Sequence, residues 1–234
     1  MVARRFWAAF LAVMMMLACT AAFCEDDDEE FEEFDDDPNG FNYFNDISGF
    51  EERNFNVENG DYTYQLTEDG ESAFIVKYHG PEADVVVPDH MEEYPLVGIG
   101  DHSFEDFAVN ITSITLPEGI LWIGVQAFAT CDKVTSIEIP EGVELLGDRC
   151  FLGCKALESI TIPDSVTSVG DMAFAVCLNL KEIAFGPNLE RIGMAAFQAC
   201  QALEKVTIPE GTEVAENAFL GCSPDLEIIR VKAE

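Results

Sequence analysis

The sequence predicts an α/β solenoid, in which a unit of two short strands and one helical turn stacks on copies of itself. Three observations predict this fold. A phenylalanine recurs at intervals of 22 to 24 residues, a cysteine follows most of these phenylalanines by three residues, and each interval repeats one apolar pattern that contains a proline. The phenylalanines are Phe104, Phe128, Phe151, Phe174, Phe197 and Phe219. The cysteines are Cys131, Cys154, Cys177, Cys200 and Cys222, and Phe107 stands at this position after the first phenylalanine.

The first half of each unit predicts a strand, as residues 155–177 show best. Ile160, Thr161 and Ile162 alternate with the period of two that is typical of a strand, so both isoleucines face inward and Thr161 faces outward. Pro163 ends this strand, because proline has no N–H to donate and its φ is fixed.

The second half of the unit predicts another strand, a corner and a helical turn. Val166 and Val169 form a second short inward-facing stretch, and Gly170 permits the corner behind it. The A-F-x-x-C segment that follows fits one face of a single helical turn. Since one unit cannot bury its own apolar side, neighbouring units must cover it.

Both ends of the solenoid are predicted to carry caps. Within residues 61–82, a hairpin of Tyr62–Leu66 and Ala73–Tyr78 would close the N-terminal edge. Six repeats follow over 83–222, the first with a strand at 85–87. Residues 223–234 form a half-unit that is predicted to be a C-terminal cap, with Ile228 and Arg230 at outward positions.

The repeated I-x-I-P, V-x-x-I/V-G and A-F-x-x-C pattern resembles the BspA-type leucine-rich repeats, a family named for a bacterial surface antigen. The resemblance runs from about Asp61 to the C-terminus. It implies a right-handed leucine-rich-repeat coil that serves adhesion or protein recognition at the cell surface. Two residues depart from the pattern, since Gly186 replaces the strand-ending proline and Ala215 replaces the corner glycine.

The N-terminal 24 residues are typical of an export signal, because Arg4 and Arg5 precede an apolar stretch too short to be a good membrane span. The residues around Cys19 also resemble a lipobox, so the chain is either secreted freely or anchored by a lipid on Cys19. Residues 25–60 are acidic and rich in phenylalanine, and we expect a disordered linker because like charges repel. Docking of this segment on a partner or on the solenoid cap is the alternative.

The eight cysteines would normally indicate disulfides in an exported protein. Five of them share one repeat position and point the same way into the coil, which favours a ladder of buried thiols. Cys150 and Cys154 have a spacing that also suits a metal pair. Cys150 stands where other repeats have alanine, however, so packing is favoured, and no second cluster completes a zinc site.

The formal net charge of −33 disfavours electrostatic binding of nucleic acid or anionic lipid and favours basic partners. The sequence contains no phosphate-binding loop, metalloprotease motif or nucleophile elbow, and its three histidines suggest no catalytic triad. We therefore predict neither enzymatic activity nor a cofactor or metal.

The outward side chains of the two strands are the predicted binding residues. On the second strands, Leu121 and Trp122 stand where other repeats have Thr167-Ser168 or Glu190-Arg191, and Val97 stands at the matching place in the preceding unit. They predict an exposed apolar patch, unless Tyr94 and Pro95 or the linker cover it. On the first strands the candidates are Ser136, Glu138, Ser159, Thr161, Glu182, Lys205 and Thr207.

These features predict an exported, monomeric leucine-rich-repeat protein that is secreted or held at the bacterial surface and recognises another protein without catalysis. The partner would be a host or extracellular-matrix protein, or another surface protein. The alternative is an acidic spacer that carries an inert solenoid and has no specific ligand.

Overall fold

The computed structural model describes residues 56–105, 108 and 110–232. The predicted export signal, Cys19, Phe107 and nearly all of the predicted linker lie outside these residues. The described chain is a β-solenoid, and its strands are short because each crosses only one side of the coil. In chain order they are β1 (Val57–Asn59), β2 (Tyr62–Leu66), β3 (Ala73–Tyr78), β4 (Asp84–Val86), β5 (His90–Met91), β6 (Tyr94–Ile99), β7 (Ser113–Thr115), β8 (Trp122–Ile123), β9 (Ser136–Glu138), β10 (Leu145–Leu146), β11 (Ser159–Thr161), β12 (Ser168–Val169), β13 (Glu182–Ala184), β14 (Arg191–Ile192), β15 (Lys205–Pro209), β16 (Glu213–Val214) and β17 (Glu227–Val231).

One column of strands, here called the first-strand column, comes from the I-x-I-P segments. It consists of parallel ladders that pair β4 with β7, β9 with β11, and β15 with both β13 and β17. Equivalent repeat positions lie side by side, so Ile137 pairs with Ile160 and Glu138 with Thr161. Ile160 is buried between exposed neighbours, which confirms the predicted inward and outward alternation.

The second column forms one long sheet. In it β6, β8, β10, β12, β14 and β16 pair in parallel, each with the next. Strands β1, β2 and β3 are antiparallel to one another and extend the sheet, because β3 pairs in parallel with β6. The two hairpin strands lie at the predicted residues. Strand β1 was not expected, because Val57–Asn59 were assigned to the disordered linker. They pair with β2, and Val57 lies opposite Tyr64 and is partly buried against the core.

No α-helix occurs in the described residues, and the helical turn predicted for each repeat is not confirmed. Two backbone features replace it. Met172 and Val176 have positive φ values of 56° and 63°, which interrupt a helical run. The N–H groups of Met172 and Phe174 donate to Met194 O (2.8 Å) and Ala196 O (2.7 Å) in the next coil. A helix would bond these groups four residues back along their own chain, so the fold is a β-solenoid.

An aromatic ladder runs through the core. The six repeat phenylalanines stack with neighbouring ring centroids 4.9 to 5.6 Å apart. The ladder continues into the hairpin, where Tyr78 lies 5.2 Å from Phe104 and Tyr62 lies 5.2 Å from Tyr78. The hairpin is therefore packed as part of the same core.

The cysteines form a second ladder beside the aromatic rings. All six cysteines in the described part of the chain are free thiols, and only Cys222 is not fully buried. Four of them donate a hydrogen bond from Sγ to the carbonyl of the phenylalanine in the preceding repeat, over 3.0 to 3.3 Å. Burial raises the pKa of the Cys150 thiol well above its ordinary value. The cysteines are thus core residues, and the polar groups of these four thiols are satisfied.

The corner glycines are needed for a close approach between coils. A Cβ on Gly170 would lie 2.6 Å from Gly147 C and 2.6 Å from Asp148 N of the preceding repeat. The same crowding occurs at Gly124 and Gly193, whose built Cβ atoms come within 2.8 Å of the glycine backbone below. Absence of a side chain is what the corner requires, because no positive φ occurs at these three glycines.

The last strand has a different register from the one expected. Ile228 pairs with Val206 and Arg230 with Ile208, so both occupy inward positions, and the outward position beside Thr207 belongs to Ile229. The reason is that the last repeat is one residue shorter than the others, and a shift of one residue exchanges the two faces of a strand.

Candidate functional site

The outward face of the first-strand column carries the candidate residues predicted on that column. Ser136, Glu138, Ser159, Thr161, Glu182 and Lys205 are exposed, and Thr207 is half-buried. Within the described part of the chain, none of these seven side chains makes a hydrogen bond or an ion pair. Their polar groups therefore have no partner among the described residues.

A groove of ≈ 560 Å³ crosses this face at β7, β9 and β11. Its floor consists of the strands themselves, and its rim consists of the loops that follow their prolines. Four exposed carboxylates line it, and its lining contains no lysine or arginine. We call this feature the acidic groove and define it by Glu118, Glu138, Glu141 and Asp164.

Three of these carboxylates were not among the predicted site residues. Glu118, Glu141 and Asp164 each follow the strand-ending proline directly, so the stacking of repeats brings them to one side of the groove. The signal was present in the sequence as an acidic residue repeated after proline. The linear chain gave no reason to separate these carboxylates from many other acidic residues.

The C-terminal half of the same face has mixed charge. Lys181 forms an ion pair with Glu158 of the preceding repeat at 2.8 Å, and Lys155 forms one with Asp132 at 2.9 Å. The hydrogen bond from Lys181 lowers the pKa of Glu158, and the same bond raises the pKa of Lys181. These exposed pairs contribute little to stability. They neutralise local charge beside the C-terminal strands, whereas the lining of the groove contains no lysine or arginine.

The predicted apolar patch is half-buried instead of fully exposed. Trp122 lies in register with Gly98, and a Cβ on Gly98 would approach the indole to 2.2 Å. The indole also lies 6.1 Å from the Phe74 ring. Val97 and Leu121 are half-buried beside it. Phe74 was not among the predicted patch residues. It reaches this position from the hairpin because β3 pairs with β6.

No catalytic or metal-binding arrangement appears in the described residues. They contain no group of three or more histidine, cysteine, aspartate or glutamate side chains placed to hold a metal ion. His102 pairs with Glu105 at 2.9 Å and His90 of β5 with Asp89 at 3.2 Å, both at exposed positions and without a nucleophile in the pair. Within the same residues, no helix has the length and apolar character needed to cross a membrane.

Comparison with known proteins agrees with this architecture. A solved structure of a leucine-rich repeat protein from T. pallidum, TpLRR, superposes with a TM-score of 0.66 at 26% identity over 75% of this chain and 82% of that chain. The pneumococcal vaccine antigen PcpA superposes with a TM-score of 0.54 at 22% identity, over 73% of this chain and 48% of that chain, and supports the fold alone. No curated protein matches the chain significantly.

The repeats themselves match a family model. Six copies of the BspA type leucine rich repeat region are found over residues 97–224, which is more than half of the sequence. This fold is typically a scaffold for interaction between proteins and not a site of catalysis. The chain belongs to the BspA-type leucine-rich repeat family.

Proposed function

We propose that this protein is an exported, non-catalytic interaction protein that binds a partner protein across the first-strand face, with the acidic groove as its centre. The observation that carries the proposal is a row of exposed, unpaired polar side chains held in register on a stacked scaffold. Repeat solenoids bind along extended surfaces of this kind. The proposed role is adhesion or protein recognition at the bacterial surface.

The partner would present a basic, extended segment. Four carboxylates line the groove with no lysine or arginine beside them, so a lysine- or arginine-rich segment would complement it. The chain's net charge of −33 would speed the encounter with such a partner and repel nucleic acid and anionic membranes. Ser136 and Thr161 line the same groove and add neutral hydrogen-bonding groups.

Export to the surface is supported by the sequence of the N-terminus, where basic residues precede a short apolar stretch. Free secretion and attachment through a lipid on Cys19 remain the two forms of this proposal. Mass spectrometry of the mature N-terminus distinguishes them, because a lipid adds a defined mass to Cys19 and cleavage further along removes that residue.

The groove is tested with a lysine-rich peptide as the probe. We expect the full chain to bind it saturably, with an affinity that falls as salt rises. The double variant Glu138→Gln/Glu141→Gln should weaken binding severalfold. The control Glu190→Gln/Glu213→Gln removes the same charge from exposed residues outside the groove and should bind as the wild type does. Equal weakening in both variants would show that net charge alone acts, and the groove would be rejected.

A second candidate function is that of an acidic spacer with no ligand. It is favoured by the small polar residues of the first-strand face, such as Ser159 and Thr161, which also suit a merely solvated strand face. This function predicts no saturable binding to any protein of the cell surface or host matrix. It also predicts unchanged behaviour after substitution of Trp122, Glu138 or Lys205.

A further inference from the structure

Within the described residues, the core is not covered at the C-terminal end of the solenoid. Phe197, Cys200 and Leu203 are fully buried, whereas their counterparts one repeat later are only partly buried. Val206 has no exposed surface, but Ile228, at the same inward position of β17, is 43% exposed. These uncovered residues are called the C-terminal end face, defined by Val214, Phe219, Cys222, Leu226 and Ile228.

Strand β17 is the open edge of the first-strand column. It pairs with β15 along all five residues and with no other strand of the described chain. Glu227 N–H donates to Glu204 O at 2.8 Å, and Val231 O accepts from Glu210 N–H at 2.9 Å, so the odd-numbered residues bond inward to β15 and its neighbours. Because these groups alternate along a strand, the N–H and C=O of Ile228 and Arg230 point away from β15.

We propose that a second copy of this chain covers the C-terminal end face, by antiparallel pairing of the two β17 strands about a two-fold axis at Ile229. Direct pairing about this axis places Ile228 opposite Arg230 of the partner subunit, so the backbone groups that point away from β15 meet each other. The two three-stranded ladders then join into one sheet, and the two open ends of the core face each other. Two-fold interfaces are self-complementary in this way.

The order of charges along the last strand identifies the occupant. The acidic residues Asp225 and Glu227 precede the two isoleucines, and the basic residues Arg230 and Lys232 follow them. An antiparallel copy brings the acidic start of one strand level with the basic end of the other, whereas a parallel copy would bring like charges together. The strand is therefore complementary to its own reversed copy.

Arg230 occupies an inward position, which on an edge strand often discourages pairing. Here the Arg230 side chain donates hydrogen bonds to backbone carbonyls of its own chain. Nη1 donates to Glu210 O and Thr212 O, both at 3.3 Å, and thus satisfies carbonyls of the preceding coil. The side chain lies back over its own chain and leaves the backbone edge accessible. This arrangement departs from the monomer expected from the sequence.

Charge exchange at Ile229 tests the dimer. Ile229 lies on the axis at an outward position, so a substitution there places two identical charges opposite each other with little effect on the core. By sedimentation of the full chain over a range of concentrations, we expect a dimer for the wild type. Ile229→Lys and Ile229→Glu alone should each raise the dissociation constant by about tenfold or more, and an equimolar mixture of the two should restore association.

Two controls separate this interface from other effects. Thr207→Lys and Thr207→Glu place the same charges on the neighbouring strand, one position from the edge, and should leave the dimer unchanged. Association should strengthen as salt rises to 0.15 M and beyond, because salt screens the repulsion between two chains of charge −33. A wild type that stays monomeric at every concentration overturns the proposal. A dimer that survives both Ile229 variants, or a mixture that fails to restore association, overturns it as well.

Discussion

At the level of single residues, each side chain of a repeat packs mainly against the same residue of the repeats above and below. Parallel strands place equivalent positions about 4.8 Å apart, so the residue at each position must fit against the same residue in the neighbouring repeats. This explains why glycine is required at the corners. The space there is filled by backbone of the preceding coil, and Gly170 has three backbone or carboxylate atoms within 2.6 Å of a built Cβ.

Gly170→Ala should therefore destabilise the fold by about 1–3 kcal/mol, because the added methyl group overlaps backbone atoms that have no room to move. The free energy of unfolding from urea titration measures this. Gly211→Ala is the matched control, since a Cβ there meets nothing within 4 Å and should change stability by less than about 0.5 kcal/mol. Equal effects of the two substitutions would contradict the role of close stacking.

Cys150→Ala tests the buried thiols through pH. The pKa of the folded thiol is raised by burial, whereas the unfolded thiol ionises near its ordinary value of about 8.5. The thiol therefore contributes stability that is fully present below about pH 8.5 and is lost as pH rises above it. We expect the thermal midpoint to fall less between pH 7 and pH 10 in Cys150→Ala than in the wild type. Identical alkaline losses would show that this thiol ionises in the folded protein.

At the level of strands, no element is long enough to be stable alone. The strands of the long sheet that follow β6 are two residues each, and all of them except the terminal β16 have neighbours on both sides that complete their hydrogen bonds. The same pairing assembles local features from distant segments. Phe74 of β3, Gly98 of β6 and Trp122 of β8 lie together because these three strands are adjacent in the long sheet.

Gly98→Ala should displace the Trp122 indole, since the new methyl group would occupy the space where the ring now lies. With Trp7→Phe in the background to leave one tryptophan, the emission should shift to longer wavelength and quenching by iodide should increase. Gly211→Ala in the same background should leave the spectrum unchanged. An unaltered spectrum in Gly98→Ala would mean that the indole does not lie over Gly98.

At the level of the whole molecule, the described chain is one continuous core from the hairpin to the last repeat. The aromatic ladder begins at Tyr62 and ends at Phe219, and every ring between these two has a neighbouring ring on both sides. The cost of a core substitution in such a stack depends on its position. A substitution in an internal layer weakens contacts with two neighbouring layers, whereas one in a terminal layer weakens contacts with only one.

Phe174→Ala should cost about 3–5 kcal/mol, because the ring is fully buried and stacks on Phe151 and Phe197 at 5.4 and 5.3 Å. In the monomer, at concentrations below those at which the proposed dimer forms, Phe219→Ala should cost clearly less, because this ring is only partly buried and stacks on Phe197 alone along the ladder. Urea unfolding of both variants measures the difference. Equal costs of the two substitutions in the monomer would contradict the dependence of stability on position in the stack.

Much of the fold could be predicted from the repeat alone. The phenylalanine interval, the I-x-I-P strands and the hairpin at Tyr62–Leu66 and Ala73–Tyr78 all lie where the sequence placed them. The predicted helical turn is not confirmed, because the pattern of a short A-F-x-x-C segment suits a series of turns as well as one helical face. The choice is made by neighbouring coils, which accept the N–H groups of residues such as Phe174.

The candidate site could be predicted only in part. Glu138 and Ser136 were predicted as outward residues from the strand period, and they are exposed. The grouping of Glu118, Glu141 and Asp164 beside them depends on how loops from three coils stack, and the partial burial of Trp122 depends on Gly98.

The sequence by itself determined that this protein is a solenoid of the BspA type, because periodic residues at 22 to 24 positions require periodic stacking. It also determined that the phenylalanines and cysteines are core residues. Only the tertiary structure decided which acidic residues meet in a groove, and that Ile228 and Arg230 face inward. Those properties depend on contacts between coils and on the register of one shortened repeat, which exist only when the chain is folded.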